Sequence, residues 1–412
     1  MFTRWRSQTK DYPTQFWLMF WGMLMSTLGA SMIWPFLMIY ISERLQRPLG
    51  QVTILITINS FVGLLASFLV GPIADRLGRK WIMVISLLGN GITYLAMGQA
   101  QTLGHFAILM SIRGLFNPMY RIGGDAMLAD LIPPQRRPDA YSLVRMSNNI
   151  GVAIGPAIGG FLAATSYEIT FLIAAIGISG YGLMLAFLAH ETLPQFTEKQ
   201  AVRETTWQAY IRILRDVHFV HFVTLFILAQ MSASLIWILM GVYAKSQYNV
   251  PENQFGLIAT TNAVMVVFLQ FAVTLRTKQH PPLRMMALGA LFYALGVGSV
   301  SLAHGFWGFW ISMVIYTVGE MILIPTASTY AANLAPPEMR GRYMSLYSLS
   351  RNIASGISSP LGGYLSDWLG PVSTWYGGMV VGLVGAGGLW LLSRREQTAL
   401  SDQTSMCPSE DY

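Results

Sequence analysis

The 412-residue chain predicts an all-α integral membrane protein of twelve transmembrane helices arranged in two six-helix, pseudo-symmetric halves. Three observations carry that expectation. Composition is the first: 53% of the residues are hydrophobic and 11% are charged, against roughly 25% charged in an ordinary soluble domain, which excludes a water-soluble globule. The second is a series of about twelve apolar stretches of some 18 residues or more, each of which must be helical because lipid offers backbone N–H and C=O groups no other partner. The third is a repeat, described below, that lays the second half of the chain on the first.

The expected spans cover 15–40, 51–73, 81–100, 105–130, 140–163, 168–190, 219–245, 254–275, 283–303, 306–333, 341–365 and 371–393. The first follows a polar leader, Met1–Pro13. It outruns the short apolar core of a signal peptide and no small-residue cleavage site ends it, so it is expected to stay in the protein. Most connections are short. The longest polar interval, Glu191 to His218, separates the sixth span from the seventh, which divides the chain into a six-helix bundle (1–190), a cytoplasmic linker (191–218), a second bundle (219–395) and a polar cytoplasmic tail (396–412). In the linker Trp207, Tyr210, Ile211 and Leu214 recur at helical spacing opposite Arg212 and Arg215, the pattern of a short helix lying on the membrane surface; a solvated loop is the alternative.

Lysine and arginine set the orientation. With the N-terminus inside, the loops assigned to the cytoplasm receive Arg4, Arg6, Lys10, Arg76, Arg79, Lys80, Arg136, Arg137, Lys199, Arg203, Arg212, Arg215, Arg276, Lys278, Arg284, Arg340, Arg342, Arg394 and Arg395. The opposite side receives Arg44, Arg47 and Lys245, while Arg113, Arg121, Arg145 and Arg351 fall inside spans. Both termini are therefore expected in the cytoplasm, in a multi-pass protein of a bacterial-type inner (plasma) membrane. The net charge of +7 does not mark a nucleic-acid binder, because the cations lie between apolar runs and not on one wet face.

A shift of 203 residues superposes Pro133, Pro134, Arg137, Ser142, Leu143, Asn149, Ile150, Ile154, Gly159, Gly160 and Leu162 on Pro336, Pro337, Arg340, Ser345, Leu346, Asn352, Ile353, Ile357, Gly362, Gly363 and Leu365, identical and without a gap. Apolar helices share Leu and Ile by chance, but not paired prolines, an arginine, an asparagine and a double glycine. Two such parallel repeats, related by an axis along the membrane normal, are how one large transporter class rocks its halves around a midplane site.

After the second span the chain reads Gly71-Pro72-Ile73-Ala74-Asp75-Arg76-Leu77-Gly78-Arg79-Lys80. This resembles the G-x-L-A-D-R-x-G-R-K loop of the major facilitator superfamily, in the same place between spans two and three; Pro72 and Ile73 are mild departures. The fifth span reads Gly151-x-x-x-Gly155-Pro156-x-x-Gly159-Gly160, which resembles the G-x-x-x-G-P-x-x-G-G motif of that family's proton-coupled antiporters. Physically, Asp75 can pair with cations or cap a helix N-terminus, and Asp130 can partner Arg76 or Arg79. The resemblance implies an outward-facing latch in which Asp75 docks near Gly341; a simple positive-inside anchor is the other reading. Glycines spaced by four let backbones approach closely, and Pro156 removes a helix hydrogen bond, which serves packing as well as function.

Charged groups at membrane depth are costly and usually face an aqueous cavity. Arg113, Asn117, Arg121 and Asp125 are spaced by four along span four, on one face expected to line the central cavity, with Arg121 and Asp125 as a pair and Arg113 open to an anionic group. A polar seam between helices is the alternative. Glu320, in span ten and opposite Asn117 in the repeat, is the acid nearest the midplane and the first candidate for proton coupling, with Asp125 the second. Many antiporters of the resembled family carry an acid in span one or the N-terminal cavity. Here span one, Phe16 to Tyr40, has none, and a structural Glu320 bonded toward Arg351 is the competing reading. Trp34, Tyr120, Tyr316 and Tyr347, with a share of the 24 methionines, are candidates for an adaptable cavity wall, as are Trp21, Tyr40, Tyr94 and Tyr293; lipid-facing belts and ordinary packing are the other reading of these aromatics.

No Walker-type phosphate loop, no nucleophile elbow and no multi-cysteine site occurs; Cys407 is the sole cysteine and the six histidines sit at span ends or in loops. The expectation is a monomeric, non-enzymatic transporter without cofactor or metal that exchanges protons for a small molecule. A multidrug-type exporter of amphipathic compounds leads, ahead of a symporter or facilitator of an anionic or polar metabolite and of a non-transporting sensor on the same scaffold.

Overall fold

Residues 12–193, 211–336 and 339–406 are described by a computed structural model, and among them the chain is helical throughout, with no strand. The first span is two helices, Thr14–Ile33 and Leu37–Leu45. Pro35 makes the break: it has no N–H to donate, and the Phe36 amide turns back to the Ile33 carbonyl at 3.0 Å. Ten unbroken main rods between them carry the expected second to eleventh spans: Leu49–Leu77, Arg79–Gln99, Leu103–Leu131, Arg137–Thr165, Tyr167–Leu188, Val217–Tyr248, Glu252–Thr277, Pro282–Ser299, Gly305–Leu334 and Arg340–Leu369. The last helix, Ser373–Met406, runs through residues 396–406, where a polar tail was expected.

Among the described residues nine helical segments are long and apolar enough to cross a membrane. The three rods outside that set are Leu103–Leu131, Arg137–Thr165 and Arg340–Leu369. These carry Arg113, Arg121, Asp125, Arg145 and Arg351, charges that lower their mean hydropathy. Large apolar side chains project outward elsewhere: Phe187 is 82% exposed and Phe268 76%. Water would penalise such surfaces, whereas lipid does not.

Packing divides the chain into two compact units, residues 1–200 with 241–264, and residues 201–240 with 265–412. In the first, span one lies against spans five and six, span two against four, and span three against four and six. Hydroxyls stitch one to five: Ser147 donates to the Phe20 carbonyl at 2.7 Å and Ser31 to the Gly151 carbonyl at 2.9 Å. In the second unit span nine packs on ten and twelve, and Gly378, Gly382, Gly385 and Gly388 of span twelve face Leu235, Ser232, Ala229 and Leu225 of span seven.

Of the linker, residues 211–214 are helical, with Ile211 and Leu214 exposed and Ile213 buried; Trp207 and Tyr210 lie outside the described residues, as do Lys199, Arg203 and Cys407.

Candidate transport site

Span four presents its polar face as the i, i+4 spacing requires. Asn117, Arg121 and Asp125 are exposed along it, while Arg113 is buried at 7% exposure. The Arg113 guanidinium lies 4.7 Å from the Trp34 ring centroid and 5.9 Å from that of Tyr94, and donates to the Asn59 side-chain oxygen at 3.4 Å. Two aromatic faces and one amide thus stand in for water around a buried cation, and Nε of Arg113 has no hydrogen-bond partner. Asp125 lies within Coulombic reach of Arg121. Tyr120 bonds to the Ser26 hydroxyl and meets Tyr181 edge to face at 6.3 Å.

The second unit holds the other half of the candidate set. Tyr293 and Tyr316 stack at 4.8 Å with their planes 9° apart, both essentially fully buried. Trp237 donates its indole N–H to the Tyr316 hydroxyl at 3.0 Å. Glu320, one turn along from Tyr316, and Arg351 of span eleven both act electrostatically on these two tyrosines. Tyr347, 8% exposed, packs on Phe226 at 5.0 Å and Phe222 at 6.4 Å. Trp237 escaped the sequence reading, because an apolar helix interior gives no sign of which indole will find an acceptor.

The fifth-span glycines each have a backbone neighbour. A Cβ on Gly159 would stand 2.2 Å from the Met32 carbonyl oxygen and 2.6 Å from Met32 Cα; one on Gly160 would stand 2.5 Å from the Glu252 carbonyl oxygen. Gly151 and Gly155 meet Thr27, Leu28 and Ser31. One face of span five therefore lies directly on span one, while Gly160 and the Pro156 carbonyl, which closely approaches Gly256, meet the start of span eight.

At the loop following span two, Arg79 reaches Asp130 of span four at 3.3 Å and donates to the Ala74 carbonyl at 3.0 Å. Arg76 is exposed and Lys80 half-buried, with the Lys80 ammonium 5.1 Å from the Trp81 ring. The Asp75 side chain lies outside the described ones. A residue the sequence did not single out completes this corner. Glu191, just after span six, accepts the amide hydrogens of Arg79 at 2.8 Å and of Lys80 at 3.1 Å, two of the orphan donors at the start of span three. The carboxylate fits because Gly78, at φ +91°, has no side chain: a Cβ there would be 2.1 Å from Glu191 Oε2. We expect Gly78→Ala to cost about 1–3 kcal/mol from backbone strain alone, read as a lowered melting temperature of the purified protein. Arg79→Lys, which keeps the charge and leaves Gly78 and Glu191 in place, should cost less; equal melting of Gly78→Ala and wild type would disprove the cap.

No group of three or more His, Cys, Asp or Glu side chains is arranged to hold a metal ion among the described residues.

Two helical repeats with buried charge, close-packed glycine faces and a charged loop after span two fit a membrane transporter. The model of the Major Facilitator Superfamily matches residues 19–229 and again 222–405, and the chain belongs to that family, whose members are transporters and not enzymes. It is 26% identical over 396 residues to the uncharacterized MFS-type transporter YqjV of Bacillus subtilis, covering 92% of this chain and 89% of that one. It is 27% identical over 369 residues to a Na(+), Li(+), K(+)/H(+) antiporter of Planococcus maritimus, covering 82% and 86%. With the multidrug resistance protein MdtH of Escherichia coli it shares 26% over 371 residues, 88% and 89% of the two chains. Among solved structures, a POT family peptide-bound transporter superposes with a TM-score of 0.75 at 16% identity over 93% of this chain and 96% of that one. A bacterial homologue of the lysosomal transporter Spinster gives 0.76 at 13% over 92% and 96%. At these identities the structures share the fold alone.

Proposed function

We propose that this transporter crosses a bacterial-type cytoplasmic membrane twelve times with both termini inside, and exports small amphipathic compounds in exchange for protons by alternating access. The observation that carries export is the fifth span: its Gly-x-x-x-Gly-Pro-x-x-Gly-Gly run is laid in backbone contact with spans one and eight, and the relatives whose names state an activity include an antiporter and a multidrug resistance protein. Glu320 is the coupling acid, since it is ionisable, stands beside two buried tyrosines, and would gain or lose its charge as the surroundings become wet or dry. Asp125, next to Arg121, is the second proton site. Asn117, Arg121, Tyr120 and Trp34 contribute to the substrate wall. The Arg79–Asp130 pair and the Glu191 cap hold the loop after span two, where Asp75 and Arg76 act as the cytoplasmic latch.

Accumulation of a lipophilic cationic dye in efflux-deficient cells tests this reading. Cells expressing the protein should hold less dye than control cells, and a proton uncoupler should erase the difference. Unchanged dye content in well-expressing cells sinks multidrug export. A second reading, uptake of an anionic or polar metabolite, is supported by the unpartnered Nε of Arg113, which leaves a donor for a carboxylate; a screen of labelled anions for uptake separates the two.

A further inference from the structure

Lys245 is the basic residue in the last turn of Val217–Tyr248, and it lies between two carboxylates from different helices. Its ammonium is 2.6 Å from Glu43 Oε1, in the last turns of Leu37–Leu45, and is ion-paired with Glu252, the first residue of Glu252–Thr277. Tyr167, the first residue of the sixth span, donates its hydroxyl to the same Glu252 oxygen at 2.8 Å, and the Lys245 ammonium stands 6.0 Å from the Tyr167 ring. Four helix ends thus meet in one polar knot inside the first compact unit. Its parts are unequally wet: the side chain of Glu252 is 8% exposed, that of Lys245 28% and that of Glu43 48%. Beneath it Phe36 and Phe255 meet edge to face at 6.1 Å, each at most 3% exposed, and Gly160 lies on the Glu252 backbone.

We propose that Lys245, Glu43, Glu252 and Tyr167 form the outer gate of the transport cycle, closing residues 241–264 onto the first six spans, with the Phe36–Phe255 contact as the hydrophobic seal below. The proposal rests on the alternating-access reading and on the orientation given above. Its physical basis is the burial of Glu252. A carboxylate withdrawn from water is stable only while Lys245 and Tyr167 hold it; removing the ammonium leaves a buried anion beside Glu43. The closed arrangement then becomes unfavourable, whereas an opened one hydrates both acids. Loss of Lys245 therefore drives the protein toward the outward-open side of its cycle, as differential stabilisation of two states requires.

The test reads opening directly and does not depend on any cargo. In a Cys407→Ser background, Ala259→Cys places one thiol a turn deeper than Phe255 on the same helix, at a position 1% exposed. Gln101→Cys, in the exposed connection between spans three and four, and Gln135→Cys, in that between four and five, report outer and inner access. Intact cells are treated with a membrane-impermeant maleimide. The expected result is slow labelling at 259 in the parent, at least about tenfold faster labelling with Lys245→Ala, a smaller rise with Glu252→Gln, and return toward the parent rate when Lys245→Glu is combined with Glu252→Lys. Position 101 should label equally throughout. Should Lys245→Ala fail to fold, the Glu252→Gln and exchanged-charge proteins carry the same comparison. Unchanged labelling at 259 in these folded variants overturns the gate. Labelling of position 135 in intact cells would instead overturn the orientation, and absence of dye export with normal gating would strike the cargo assignment alone.

Discussion

Gly159→Val should be the most damaging single substitution in the protein. The new side chain would start 2.2 Å from the Met32 carbonyl oxygen and 2.6 Å from its Cα, and backbone atoms cannot swing aside as a side-chain tip can. Overpacking ordinarily costs about 1–3 kcal/mol, with higher values where the surroundings cannot relax; here spans one and five would have to separate along their length, breaking the Ser147–Phe20 and Ser31–Gly151 bonds as well. A cost of about 3 kcal/mol or more is expected. The check is the yield of monodisperse protein in detergent and its melting temperature, alongside Val152→Ala, an exposed position on the same span. A Gly159→Val protein melting like wild type would contradict the direct contact of the two spans.

Glu320→Gln should abolish concentrative export while the protein still folds and reaches the membrane. Glutamine keeps the volume and most hydrogen-bonding capacity beside Tyr293 and Tyr316, but it cannot take up and release a proton. On the proposed coupling role, dye efflux is expected to fall at least ~10-fold. Energy-independent dye exchange across vesicles should persist. Efflux at the wild-type rate would remove Glu320 from proton coupling and turn attention to Asp125. Asp125→Asn in the same assay then shows whether the acid sits in the first unit instead.

The helical architecture was open to a reader of the sequence because its cause is local: lipid permits few backbone arrangements, and apolar length reveals them. The duplication was equally visible, and the family model matches the chain twice. The Arg79–Asp130 pairing needed only charges of opposite sign at adjoining span ends. Other features depend on which helices meet. Glu191 and Arg79 are 112 residues apart, and nothing in either segment announces a double amide cap. In sequence Lys245 is only a charge at the end of span seven, and its two carboxylate partners emerge only when the ends of spans one, seven and eight converge. Residue type offers Tyr347 only as an aromatic, whereas its contacts with Phe222 and Phe226 depend on the rotation of its helix, which packing fixes. The last helix exceeded its expected end because residues 396–406, though polar, lack a Pro or Gly to stop it.

The interruption at Pro35 makes the first span an articulated rod. A continuous helix bends only by stretching several bonds of its ladder at once, but here the joint between Ile33 and Leu37 is crossed by few: Trp34 to Ala30, Phe36 to Ile33 and Tyr40 to Phe36. The short lever Leu37–Leu45, which carries Glu43, can therefore pivot while Thr14–Ile33 stays clamped along span five by its serine and glycine contacts. Bending of that lever need not be transmitted as strain to the longer helix, because it is absorbed by the three residues of the joint.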